Sequence, residues 1–331
     1  MSSLILIALI ALARINQNEN EYFKNKCGGT RTMAITHWYN RESLHMLSQG
    51  KQPLERIFPF AATIERTPKA PTCTGVLISP RHVLTAAHCT LNESSKKRGK
   101  CDVVVAVTNM TISIETCPVR KCRKEYAARY VFVHPLYNPC KSTNDIAIIE
   151  LDSDTTGMSP ICLAEESDEI SGNAWTFGVK MDAEPSRIDV VKDLLLELKL
   201  TAWKEEDGKI KTRDEDVTLC GGKHGAPLFR YNRFGQATLF GTLADRDSDC
   251  SLSSKGNKVI TGNFTDVRKH LDWICSLTGV CPLNKTASTA ERLFEKDRIS
   301  HGYCARGYTL SSDKSIINKR KCRVKRDDGK N

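Results

Sequence analysis

Short apolar runs of strand length, separated by Gly, Pro, Asn and charged residues, dominate the middle of the chain. Ala61 to Glu65, Gly75-Val76-Leu77-Ile78-Ser79, Val103-Val104-Val105-Ala106-Val107 and Tyr130-Val131-Phe132-Val133 are the clearest of them. They are rich in β-branched and aromatic residues, which suit a pleated, half-buried surface. Many such strands with turn residues between them predict an all-β barrel or sandwich. No heptad and no internal repeat competes with that reading. Leu194 to Leu200 stands apart, because its Leu, Glu and Lys content is that of a helix.

The first apolar run has a different character. Leu4 to Leu12 ends in Ala11-Leu12-Ala13, the small-x-small form of a secretory cleavage site, although Met1-Ser2-Ser3 contributes no Lys or Arg. It is far shorter than the roughly 20 apolar residues of a membrane span. Residues 1–13 are therefore expected to be a signal peptide. The 14 cysteines agree with export, since a large even set persists as disulfides in oxidising compartments. No Cys-x-x-Cys pair is present, so the spacing of a structural zinc site is not met. Sequons at Asn92, Asn109, Asn263 and Asn284 fit a secreted glycoprotein.

The 331 residues allow one large domain with extensions or two smaller ones. Their formal charge of +10 is uneven: Lys314 to Asn331 holds eight Lys/Arg against two Asp, and Lys96-Lys97-Arg98 with Lys100 forms a second cluster. Outside a cell such patches point to sulfated glycans, acidic proteins or anionic lipid surfaces more than to nucleic acid. A solvated, disordered tail is the other reading of the C-terminal stretch.

Three phrases carry candidate chemistry: Leu84-Thr85-Ala86-Ala87-His88-Cys89, Asn144-Asp145-Ile146-Ala147-Ile148, and Cys220-Gly221-Gly222-Lys223-His224-Gly225-Ala226-Pro227. From about Leu47 to Cys275 the chain resembles the chymotrypsin/trypsin-like serine proteases. The first two phrases are similar to that family's catalytic-histidine and catalytic-aspartate motifs. The third resembles the nucleophile motif Cys-x-Gly-Asp-Ser-Gly-Gly-Pro, with His224 where the serine belongs. The resemblance implies two antiparallel six-stranded barrels with the site between them and a C-terminal helix starting near His270-Leu271-Asp272-Trp273-Ile274. It also places a strand at Leu194 to Leu200, against the local composition.

In that family histidine removes a hydroxyl proton and the resulting alkoxide attacks. An imidazole has no hydroxyl. In a serine protease of another fold with the same triad, removing the nucleophile lowers turnover by about a millionfold. The resemblance therefore implies a non-catalytic member that keeps His88 and Asp145 and carries His224 at the nucleophile position. Lys223 takes the place of the aspartate that pairs with the new amino terminus after cleavage, so it would face that ammonium with like charge. Gly222 stays where a backbone donor of the oxyanion hole would lie. Met46 precedes Leu47 where a trypsin-type activator would want Arg or Lys. Arg246 in Ala244-Asp245-Arg246 replaces the small end of Ser-Trp-Gly, and Thr218 gives the specificity pocket no carboxylate.

The implied disulfides are Cys73 with Cys89, Cys27 with Cys162 and Cys220 with Cys250, which leaves eight cysteines whose connectivity is open. The expected organisation is a signal peptide at 1–13, a pro-segment at 14–46, a trypsin-like domain at 47–275 and a basic extension at 276–331. The implied function is a secreted, extracellular protease homologue, inactive in catalysis. It would bind a protein partner (a protease, an inhibitor or a substrate) or a sulfated glycan, with no nucleic acid, no membrane span and no cofactor. His88 and His224 facing each other would offer a zinc or copper ion only two ligands, so no metal is assigned.

Two other readings stay open. One is an active serine-type endopeptidase with an unrecognised nucleophile, although no serine lies between Ser186 and Ser248. The other is a disulfide-linked extracellular structural protein.

Overall fold

The computed structural model describes residues 14–29, 31–32, 56–66, 72–91, 110–115, 123–170, 172–179, 195–214, 224–246, 260–283, 285–287, 289, 307–310 and 316–318. The apolar run Leu4 to Leu12, Val103 to Val107, Thr218 and Cys220 to Lys223 lie outside them, as does Cys250.

Helix α1 (Gln17–Lys26) opens the described chain. It begins where it does because Asn16 Oδ1 accepts from Glu19 N–H at 3.0 Å while Glu19 Oε2 accepts from Asn16 N–H at 2.7 Å, a capping box. Strands β1 (Arg31–Thr32) and β2 (Arg56–Ile57) pair with each other. Six strands then form the first barrel: β3 (Ala61–Glu65), β4 (Cys73–Ser79), β5 (His82–Thr85), β6 (Thr111–Glu115), β7 (Arg123–Val133) and β8 (Ala147–Leu151). Their order is β7-β6-β3-β4-β5-β8, and β8 returns to β7. Every residue of β4, β5 and β8 is buried, which accounts for their continuous apolar runs in place of alternation.

After the short β9 (Cys162–Leu163) come β10 (Gly172–Val179), β11 (Leu195–Glu206), β12 (Lys209–Asp214), β13 (Pro227–Tyr231), β14 (Ala237–Arg246) and β15 (Ile260–Asp266). The order is β13-β10-β11-β12-β15-β14, closed by β13 against β14. The β10–β13 seam is narrow, with two residue pairs. Leu195 to Leu200 is strand, as the family resemblance implies, because β10 pairs with it residue for residue from Val179↔Leu195 to Ala174↔Leu200. That ladder overrides a helical composition. Asp207 and Gly208 both have positive φ (51° and 70°), which suits the tight turn between β11 and β12. The terminal helix, α2 (Leu271–Thr278), follows as expected.

The barrels meet across an aromatic cluster. Phe58 and Phe60, on the approach to β3, pack with Phe177 of β10 and Phe229 of β13, and the Phe58 and Phe177 rings stack at 4.6 Å. Helix α2 docks on the end of β7, where the His134 ring meets His270 at 4.6 Å and Trp273 at 5.0 Å.

Both extensions are fastened to this body. Cys27 is bonded to Cys162, Gly28 N–H donates to Pro160 O, and Gly28 O accepts from Ala237 N–H. Asn20, the one buried residue of the helix, exchanges two hydrogen bonds with the backbone of Cys281. Cys281 is itself bonded to Cys275, a pair the sequence left open. From the basic extension, β16 (Gly307–Leu310) and β17 (Ile316–Asn318) form a hairpin whose β16 pairs with Tyr130 to Phe132 of β7. That part of the extension is strand and not a solvated tail.

Candidate active site between the barrels

His88 lies on a 3-10 turn (Ala87–Thr90) that follows β5. The Cys73–Cys89 disulfide, one of the implied pairs, ties this turn back to β4. Asp145 precedes β8, at the end of a loop that turns tightly through Ser142 and Asn144, both at positive φ. Asn144 Nδ2 donates to Leu136 O and so fixes the loop's exit.

The Asp145 carboxylate grips His88 twice. Oδ1 accepts from the His88 backbone N–H at 2.9 Å and Oδ2 lies 2.6 Å from Nδ1. The aspartate side chain is 2% exposed and the histidine side chain 13%. A proton on Nδ1 is therefore the arrangement that satisfies the buried carboxylate. The second barrel adds to the grip, because Thr265 Oγ1 of β15 donates to Asp145 O at 3.1 Å. Tyr137 packs nearby, and its phenol is pushed up by burial first and by the Asp145 charge second.

His224 stands on the turn entering β13. Its carbonyl accepts from Thr74 N–H of β4 at 2.8 Å, while Gly225 N–H donates to Leu243 O of β14. The turn therefore joins both barrels. Gly225 has φ +74°, and a Cβ there would come within 2.3 Å of Thr85 Oγ1 and 2.4 Å of Thr74 O. Only glycine lets the turn approach β4 and β5 so closely. The result is that His224 Nδ1 sits 2.9 Å from His88 Nε2, with the rings 4.8 Å apart and crossed at 82°.

Asp145, His88 and His224 thus form one hydrogen-bonded line. With Nδ1 of His88 protonated toward Asp145, a neutral His88 accepts the His224 Nδ1 proton, and a cationic His88 donates to His224. The three site residues named from sequence are brought together.

Thr265, Tyr137 and the Thr74 amide were missed. Thr265 lies 120 residues from Asp145 with no local motif, whereas Tyr137 and Thr74 sit within family-like segments and the glycine after His224 within the family phrase. Arg246 is the last residue of β14, paired with Gly262, and Ala244 beside it is buried. The sulfurs of Cys73 and Cys89 and a His88 nitrogen lie within 4.8 Å of one another, but the two sulfurs are joined to each other and are not thiolate ligands.

The family model described as Trypsin matches residues 48–274. The chain belongs to the trypsin family. This trypsin-family chain is 29% identical to CLIP domain-containing serine protease B15 of Anopheles gambiae, over 68% of its own length and 67% of that protein. It is 26% identical to CLIP domain-containing serine protease B9 of the same organism, over 76% of itself and 65% of the relative. With human Mannan-binding lectin serine protease 1 the identity is 24% over 73% of the chain, which spans only 37% of that longer protein. Among the described residues no helix is long and apolar enough to cross a membrane.

Proposed function

We propose that this trypsin-family chain is a secreted protease homologue that acts by binding and not by peptide hydrolysis. The observation that carries the reading is His224 Nδ1 at 2.9 Å from His88 Nε2. The base of the family's reaction faces an imidazole where a hydroxyl proton would have to be. Lys223, the Met46-Leu47 junction and Arg246 agree with it at the level of sequence, each replacing a residue that activation or substrate binding requires. Export is supported by the Leu4 to Leu12 run and by three disulfides among the described residues. The partner is a protein of the protease, inhibitor or substrate class, or a sulfated glycan attracted by the +10 chain.

The retained His88–Asp145 pair has a structural use in this reading. Asp145 holds the His88 turn in the first barrel and receives Thr265 from the second, so losing the histidine would leave a buried carboxylate short of a donor. The test is exposure of the purified secreted protein to a serine-directed fluorophosphonate probe and to broad peptide libraries, with His88→Ala as control. No signal above the control is expected. Labelling or peptide cleavage that depends on His88 would overturn the reading.

A further inference from the structure

Asn263 stands in the middle of β15, an interior strand of the second barrel and a poor place for asparagine, which is depleted in strands. We propose that Asn263 carries an N-linked glycan, rooted on the solvent face of β12 and β15 beside the β14 segment to which the family resemblance assigns substrate binding. Such a glycan requires the export proposed above and is independent of whether peptides are hydrolysed.

Side chains alternate along a strand, and Phe264 is fully buried in the core of the second barrel with Ile210 and Leu243. Asn263 and Thr265 therefore share the opposite face. Across the ladder Asn263 pairs with Lys211 of β12 and with Asp245 of β14. Lys211 is 34% exposed and its Nζ donates to Glu206 Oε2 at 2.7 Å, so this face meets water. Asn263 is half-buried, its side-chain amide makes no hydrogen bond among the described residues, and neither amide atom is sealed from water. The amide points at solvent.

Thr265, about 7 Å along the same face, is closed off by the first barrel, where its Oγ1 donates to Asp145 O. One end of the face lies under the seam and the other is open. Asn263-Phe264-Thr265 is an acceptor triplet with a residue other than proline between its ends. Its hydroxyl is used on the extended chain during translocation, before the barrels close, so the burial of Thr265 in the fold is no obstacle. The other three sequons, at Asn92, Asn109 and Asn284, lie outside the described residues.

Asn263 Nδ2 displaces the diphosphate from the anomeric carbon of a lipid-diphosphate-linked oligosaccharide, the donor class that a secretory compartment supplies together with its transferase. The nitrogen–carbon bond forms, the carbon–oxygen bond breaks with its electrons leaving on the diphosphate, and the amide gives up one proton. Nothing is oxidised or reduced. The product is bulky and hydrated. Rooted at the residue paired with both Lys211 and Asp245, it covers this face of the second barrel, so that a protein partner must approach by another.

The experiment uses the full chain secreted from a eukaryotic host, digested with trypsin and treated with a peptide N-glycosidase in heavy-oxygen water. Residues 259–268 form one tryptic peptide with a single asparagine, which should be recovered as heavy-oxygen aspartate only after the enzyme treatment. Asn263→Gln should lose one glycan's mass from the intact protein, whereas Thr265→Ser, which keeps a hydroxyl, should retain it. With an amine-reactive acetyl ester, Lys211 should acetylate several-fold faster in Asn263→Gln than in the wild type, and Lys124 of β7 at the same rate in both. Unmodified Asn263 in the secreted protein would overturn the inference and leave export standing. Equal Lys211 rates with the glycan present would overturn its placement over this face. A chain retained inside the cell with all four sequons bare would overturn the inference and the proposed export together, and peptide cleavage by the glycosylated protein would overturn the proposed loss of catalysis alone.

Discussion

At position 224 the side chain and the backbone have separate duties. The ring meets His88, while the carbonyl accepts from Thr74 and the next residue turns back toward β14. The turn therefore depends on Gly225 more than on the identity of the residue before it. Gly225→Ala would place a methyl 2.3 Å from Thr85 Oγ1 at φ +74°. Left-handed strain and overpacking together predict a loss of about 2 to 5 kcal/mol, read as a lower denaturant midpoint. His224→Ala, which leaves that backbone geometry intact, should shift the midpoint far less. Equal midpoints for Gly225→Ala and wild type would show that the turn moves freely away from the first barrel.

Among the elements, α2 has a seat that responds to acid. His134 follows β7 and His270 precedes α2, and the two buried rings touch at 4.6 Å beside Trp273. Burial holds the His134 imidazole well below the usual histidine value of 6.5, with His270 as the second cause. Burial lowers His270 to about 4. His82, inside the first barrel against Ser79 Oγ, is lowered by burial to about 3.

In each case the folded state keeps the ring neutral where the unfolded chain would bind a proton. Stability is thus fully present above about pH 6.5 and falls as pH drops toward 4, where His270 begins to titrate in the fold. For His270 the effect is on the order of 3 kcal/mol across that window. Denaturant midpoints measured from pH 7 to pH 4 should fall, and His270→Phe should flatten part of the fall. A flat profile in the wild type would mean that these rings are protonated at no cost within the fold.

At the scale of the whole molecule, the described segments beyond the trypsin match pack on the folded body. The N-terminal segment is bound through Cys27–Cys162 and the Asn20–Cys281 exchange. The C-terminal hairpin covers an edge of the first barrel: β6 pairs with β7 only from Arg123 to Ala127, and β16 takes the stretch from Tyr130 to Phe132. A chain ending before Gly307 would uncover those strand groups, and an open edge invites pairing with another chain. Such a truncation should fold but show concentration-dependent self-association by light scattering where the full chain shows none. A monodisperse truncated protein would indicate that the edge needs no cover.

Much of the site was legible in sequence because the family phrases are local. Six consecutive residues around His88, the Asn144-Asp145 phrase and the glycine after His224 each encode a turn that the backbone must make nearby. The disulfides Cys73–Cys89 and Cys27–Cys162 were legible through the same resemblance, whereas Cys220 and Cys250 lie outside the described residues. Local composition erred at Leu194 to Leu200, where only the β10 ladder decides between helix and strand. The sequence by itself determined that His88, Asp145 and His224 stand in the three family-like phrases. Only the tertiary structure decided that His224 points its Nδ1 at His88, that Thr265 braces Asp145 and that β16 covers β7. Those contacts join residues from distant parts of the chain, and their geometry exists only once both barrels have closed and packed across Phe58 and Phe177.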